Sequence, residues 1–561
     1  MRLATVSGKV RNRPITDATG SDPAAPASPG RRPWWIWAIP FALLFTLLCA
    51  RNGFLFTAHL YEQGDAGANS ILIEQAKRFT LLIGSYSREG FNHPGPAYMY
   101  VQALGEYLFL NVLHVVPTAW NAHMLSVFAL YSAFLALAVG IVYGWTRSLA
   151  GAFACCAVLI ALAVAYPPVV NSDWMPYLYV PTYLVFLLAA GSVAAGRVAD
   201  LWILALSGWF LIHGHACFLL FVPAITLVLL VAAAAGHWRA PWRSLRSFFG
   251  QQRRAWIPAA VISVVFAFPI VLNLILHWPG EFGQYLTYGS TGGVSGLAGH
   301  HTAGQVTDYA LWYWWPRANA WLPPALLLFV ALEVIGWLTR GPVRRFLIAL
   351  LALNVVSTAA FVAYTAIGID DLTAHYIGYF YWSAPVIMIL IIVIGSVEGL
   401  RRRFEAPGSA GAQRPWILRN LAATLAALAA AAAFITLAVI PGTRTSTGDI
   451  NESLPAAVTN LAALHPGHRI ALEVDHMVWP QAVGFLLQAE RSGIKACLVD
   501  PWYTFLVTTQ FICTPVPDAD DTKYWTPAEF TGMAEYWFYP PIAPPHAKVI
   551  LAFAGFTIAK A

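Results

Sequence analysis

The sequence predicts a polytopic α-helical membrane protein of about 11 transmembrane helices, followed by a small α/β domain. Three observations predict it. Hydrophobic residues make up 58% of the 561 and charged residues only 11%, a balance outside that of soluble domains. Apolar runs of about 20 residues recur along the chain, each long enough to cross about 30 Å of hydrocarbon. From residue 441 onward those runs stop, and short alternating segments replace them.

Residues 1–32 are rich in Pro, Ala, Ser and Gly without apolar periodicity and read as a disordered cytoplasmic tail. The first apolar run follows Arg31 and Arg32 and has no small-residue cleavage site soon after it, so it is a retained span. Spans are expected near 34–52, 119–145, 149–166, 175–196, 200–213, 215–236, 256–277, 322–338, 345–366, 377–398 and 417–440, within a transmembrane domain at 33–440. Arg147, Arg197, the set Arg239/Arg243/Arg246/Arg253/Arg254, the set Arg340/Arg344/Arg345 and the set Arg401/Arg402/Arg403/Arg414/Arg419 fall in alternate loops. The positive-inside rule puts these loops and the N-terminus in the cytoplasm, and the domain at 441–561 outside. The formal charge of +6 comes from these topology-setting loops, which face membrane lipid and speak against a nucleic-acid partner.

The first outer loop, 53–118, departs most from the rest. Its stretch YEQGDAGANSILIEQAKRFTLLIGSYSREGFNHPGPAYMY concentrates Glu62, Asp65, Glu74, Lys77, Arg78, Arg88, Glu89 and His93 in a chain that elsewhere avoids charge. Ala68, Ile71, Leu72, Ala76 and Phe79 share one helical face. Residues 94–113 predict a second helix with Pro94 in its first turn. Both helices are expected to lie in the outer membrane interface. In the last domain, 469–474 and 495–499 alternate as strands around a helix at 478–491, a βαβ pattern, with another strand at 547–554. Cys497 and Cys513 are the only cysteines outside apolar runs; the spacing leaves a disulfide open.

Asp65 has two readings on residue type alone. A carboxylate just outside the bilayer can take a proton from an acceptor hydroxyl, or it can N-cap a helix starting near Gly67. Asp173, in NSDWMP, falls on the same face of the membrane and suits a partner that orients an acceptor or a metal; it too could be a cap. Glu62, three residues before Asp65, is a further candidate for substrate binding. So are His93, in the rigid turn NHPGP, and His375, beside Asp370 and Asp371 in another outer loop. Arg317, in WYWWPRANAW, is the outer cation suited to phosphate. His213 and His215 flank a break between two apolar pieces, and His300-His301 lies in a Gly-rich loop.

A span, an outer loop carrying EQGD, an amphipathic helix and the turn NHPGPAYMY together resemble the GT-C glycosyltransferases. The likeness is to the branch with protein O-mannosyltransferases, the aminoarabinose transferase of lipid A and related bacterial membrane sugar transferases. NSDWMPYLYVPTYLVFLLAAG resembles that branch's second acidic outer loop and fourth span, and SGWFLIHGHACFLLFVPAI its fifth-to-sixth segment. The resemblance covers roughly residues 34–240. It implies a polyprenyl-phosphate sugar donor, an acceptor that is a glycan, lipid or protein of the cell envelope, an outward-facing site in a bacterial cytoplasmic membrane, and Asp65 as the base. Where the branch usually carries Asp-Glu, this chain has Gly64-Asp65, which leaves a divalent metal an open question. Two alternatives stand beside it. A transporter or flippase of lipid-linked saccharide would place ionisable groups and broken helices near mid-membrane, and a ligase-like saccharide binder would show several outer arginines.

Overall fold

The computed structural model describes residues 32–236, 252–293, 296–314, 321–405, 420–464, 466–467, 469–513 and 533–560. The N-terminal tail, Arg317, and the topology-setting Arg239, Arg243, Arg246, Arg414 and Arg419 lie outside the described residues.

Helices stand at the expected apolar runs, and two more fall in the outer region 278–321 where none was expected: α1 (Trp35–Arg51), then α2 (Gly64–Lys77) and α3 (Ala97–Gly105) in the first loop, then α4 (Ala119–Thr146), α5 (Leu149–Ala165), α6 (Met175–Ala194), α7 (Leu201–Gly214), α8 (Phe218–Gly236), α9 (Arg253–Leu276), α10 (Gly280–Thr291), α11 (Ala303–Trp312), α12 (Leu322–Glu333), α13 (Gly341–Ile367), α14 (Ser383–Glu405) and α15 (Leu421–Val439). Among the described residues, six helical segments are long and apolar enough to cross a membrane, and α1, α5, α7, α8 and α12 belong to shorter apolar ones. The chain is a membrane protein. Small side chains let its helices approach closely: α15 lays Ala422, Ala426 and Ala430 in buried contact along α5. At one end of the bundle Arg32 meets the buried Asp200 at 2.6 Å, with Arg197 at 3.6 Å.

The other end carries the C-terminal domain. Helix α16 (Leu454–Leu464) leads to β1 (Arg469–Val474), α17 (Trp479–Arg491), β2 (Ala496–Leu498), β3 (Met533–Tyr539), β4 (Lys548–Phe553) and β5 (Phe556–Lys560). The sheet order is β2-β1-β3-β5-β4. Strands β2, β1 and β3 run parallel, while β3–β5 and β5–β4 pair antiparallel. The expected βαβ unit is β1–α17–β2. Cys497 and Cys513 form a disulfide.

Helix α2 differs from its expected place. Its apolar residues divide between two cores: Ala68 and Ile71 pack into the C-terminal domain, Leu72 and Ala76 into the membrane body. Phe79 alone of that set is 83% exposed. The helix is therefore a shared wall and not an interfacial float. Helix α3 also begins later than expected, at Ala97 with Pro96 as its N-cap residue, so Pro94 lies outside its first turn.

Candidate active site

Helix α2 starts at Gly64, whose φ of +56° suits a residue without Cβ. The N-cap position is Gln63, and no side chain caps the helix. Asp65 sits in the first turn, where the helix dipole favours a negative charge, and it is not the cap. Its Oδ1 accepts the Tyr86 hydroxyl in a short hydrogen bond, and its Oδ2 accepts the Trp174 indole N–H at 2.8 Å. Two neutral donors hold the carboxylate in one orientation, and each oxygen retains a further lone pair.

Those lone pairs border a cavity of about 520 Å³. Its wall combines Asp65, Tyr86 and Trp174 with Arg88, His93, Tyr288 and Tyr376. Arg88 is tied to Asp370 by a short contact, to Glu89 at 3.3 Å and to Asp371 at 3.5 Å. Its charge is shared among acids, which makes the cluster a lattice of donors and acceptors suited to hydroxyls. His93 is buried and accepts the Ala216 N–H on Nδ1 at 3.4 Å, which puts the ring proton on Nε2. Burial, and then the neighbouring His215 ring 4.3 Å away, hold His93 well below the usual imidazole range. It lines the cavity as a neutral imidazole.

The remaining sequence candidates scatter. Asp173 does not cap α6, whose N-cap residue is Trp174; it accepts the Trp120 indole N–H at 2.9 Å and lies behind the cavity wall. Burial pushes its carboxyl above the usual range, opposed by that N–H. Glu62 is fully buried, and its partner is Arg491 of α17 at 3.0 Å. The same guanidinium reaches Glu74 at 2.8 Å. Burial works against the Glu62 charge, but Arg491 wins and holds its carboxyl below the usual range. That position gives Glu62 an internal partner and no face on the cavity. His375 packs on the Trp312 ring at 4.3 Å, also away from the cavity lining. His213 is bonded on both sides, by Ala97 N–H at 3.1 Å and to the Phe266 carbonyl at 2.8 Å. His301 meets the Ile369 carbonyl at 2.8 Å.

Sequence reasoning passed over four residues. Tyr86 and Trp174 hold Asp65, yet a lone Tyr in a loop and a Trp beside a membrane carry no signal of their own. Arg88 was visible only as one charge among many. Asp449 comes from the segment after α15: its backbone C=O accepts the Gln63 N–H at 2.9 Å, beside a bridge between Glu62 and Ile450. Partial burial, then Asp65 and Asp173, push its carboxyl up to about 6.

Among the described residues, no three His, Cys, Asp or Glu side chains converge to hold a metal ion. The Tyr86 and Trp174 donors leave a lone pair on each Asp65 oxygen, so Asp65 brings one carboxylate to the cavity and the described residues do not complete a three-ligand site around it.

No protein-family model matches the chain, and no curated protein sequence does. Among solved structures, the chain is similar to ArnT from Cupriavidus metallidurans in the apo state, with a TM-score of 0.52 and 14% identity over 93% of this chain and 97% of that one. ArnT bound to undecaprenyl phosphate aligns at a TM-score of 0.47, with 14% identity over 94% and 97%. The Archaeoglobus fulgidus oligosaccharyltransferase, complexed with zinc and sulfate, aligns at 0.42, with 11% identity over 81% of this chain and 61% of that one. The likeness to the apo structure is one of fold: this chain has the GT-C fold.

Proposed function

We propose that the chain is a membrane glycosyltransferase that moves a sugar from a polyprenyl-phosphate donor to a hydroxyl acceptor of the cell envelope on the extracytoplasmic face. One observation carries the reading: a carboxylate held by two neutral donors at the wall of a cavity of about 520 Å³, within the usual size of small-molecule sites. Asp65 takes the acceptor's proton as the acceptor oxygen bonds to the anomeric carbon. The bond from that carbon to the phosphate oxygen breaks, and its electron pair leaves with the lipid phosphate. The neutral Nε2–H of His93 donates to the departing phosphate, and the Arg88 cluster holds sugar hydroxyls. Asp173 supports Trp174 by neighbourhood, being the residue before it. The orientation is read from the alternation of arginine-rich loops along the sequence.

The test is Asp65→Asn. Transfer from a polyprenyl-phosphate sugar, assayed in membranes at matched protein level, is expected to fall by about 10²-fold or more. The Asn amide opposes one of the two donors, so a thermal melt of the purified variant accompanies the assay. Near-normal turnover in a well-folded Asn variant would remove Asp65 from the chemistry.

A further inference from the structure

The parallel strands β1 and β2 end in the same device. Asp475 follows β1 and accepts the Met477 N–H on Oδ1 at 2.9 Å; Asp500 follows β2 and accepts the Trp502 N–H on Oδ1 at 2.9 Å. Each turn projects a large apolar side chain two residues after its Asp, and these are among the most exposed of the domain: Met477 at 67% and Trp502 at 63%. Leu472 and Leu498 are in register, so both turns lie at the carboxyl edge of the sheet, where open α/β sheets take ligands.

That edge adjoins the candidate active site through both of its loops. After β1, Pro480 packs so close to Gly64, the residue before Asp65, that a Cβ there would sit 3.5 Å from the Pro480 Cβ. After β2, the Phe505 ring meets the ring of Tyr86, which holds Asp65, at 6.0 Å, and Phe505 meets Trp502 at 5.1 Å. An aromatic path thus runs from the holder of Asp65 to the exposed indole.

We infer that the carboxyl edge of this sheet is the docking surface for the acceptor, and that the acceptor is a saccharide chain. The inference rests on the transfer reading above and adds what receives the sugar. A pyranose or furanose ring has apolar C–H faces that pack on an indole or thioether and a rim of hydroxyls that donate to carboxylates. The edge supplies both, since Asp475 and Asp500 stand two residues before the exposed Met477 and Trp502. The same carboxylates would repel an anionic lipid surface, which is the other habitual place for exposed Trp. A hydroxyl-rich chain lying along this edge at Trp502 stands two ring contacts, through Phe505, from Tyr86, which holds Asp65.

Photo-crosslinking tests the inference in the full chain in its native membrane. Benzoylphenylalanine replaces Trp502 in one variant, Met477 in a second, and Ser492, at the opposite edge of the domain, in a third. After irradiation, the purified protein is examined by mass spectrometry before and after periodate oxidation. The expected result is a periodate-sensitive saccharide adduct at 502 and 477 and none at 492. A phospholipid adduct, a peptide adduct, no adduct, or equal saccharide labelling at 492 would overturn it. Repeating the experiment with Asp65→Asn separates the two readings. A saccharide adduct together with unimpaired transfer in that variant leaves the docking surface standing and removes the base; lost transfer without any saccharide adduct does the reverse.

Discussion

The two flanks of α2 carry the same kinds of residue and have opposite fates. On the flank toward the cavity, Asp65 is held by a phenol and an indole, and among the described residues it forms no ion pair. On the flank toward the C-terminal domain, Glu62 and Glu74 share Arg491, and Glu74 also meets Lys77 at 2.7 Å, which continues to Glu106 at 2.6 Å and His123 at 3.0 Å. Density of charge in the loop therefore does not identify the chemistry. The partner does: a neutral donor keeps a carboxylate oriented and reactive, whereas a buried guanidinium turns one into a structural tie.

The largest expected effect breaks the structural flank. Arg491→Met leaves two buried carboxylates without their guanidinium and should lower stability by about 3–5 kcal/mol, read as an earlier unfolding transition in detergent. Transfer per folded molecule should persist, because both residues that hold Asp65 lie elsewhere. Lost transfer with an unchanged melt would erase the distinction between the flanks.

A second effect sharpens the cavity side. Glu281 accepts the Asn92 N–H at 2.7 Å, one residue before His93. Burial pushes its carboxyl up to about 7, against the opposing pull of that N–H, from an ordinary value of 4.5. A carboxyl raised in the folded state stabilises the fold below its unfolded pKa, and that contribution is lost as pH rises through the folded one. Stability should fall by about 3 kcal/mol between pH 4.5 and pH 7 through this group, and Glu281→Gln should flatten that part of the profile. An identical pH–stability curve for the two proteins would show that Glu281 is not held this way.

The smallest effect concerns the donors themselves. Tyr86→Phe removes one of the two donors that orient Asp65, so kcat should fall by about fivefold, the equivalent of about 1 kcal/mol, with the melt unchanged. An unaltered kcat in a well-folded variant would mean that Tyr86 does not position Asp65.

The sequence by itself determined the membrane class, because a span is a local property: about 20 apolar residues in a row are enough. It also determined the βαβ unit around α17, through period and turn signals, and drew Asp65 out as an acid in an otherwise apolar chain. Tertiary structure alone decided what each acid does. Tyr86 and Trp174 reach Asp65 from 21 and 109 residues away, and Arg491 reaches Glu62 from 429 away. No periodicity records such pairings, because they form only once helices have packed. For the same reason the helix-cap reading of Asp65 looked sound until α2 proved to start at Gly64, and the amphipathic face of α2 looked like a membrane-lying surface until two separate cores divided it. Local pattern says which residues must leave water. Only the packed chain says which neighbour each one meets.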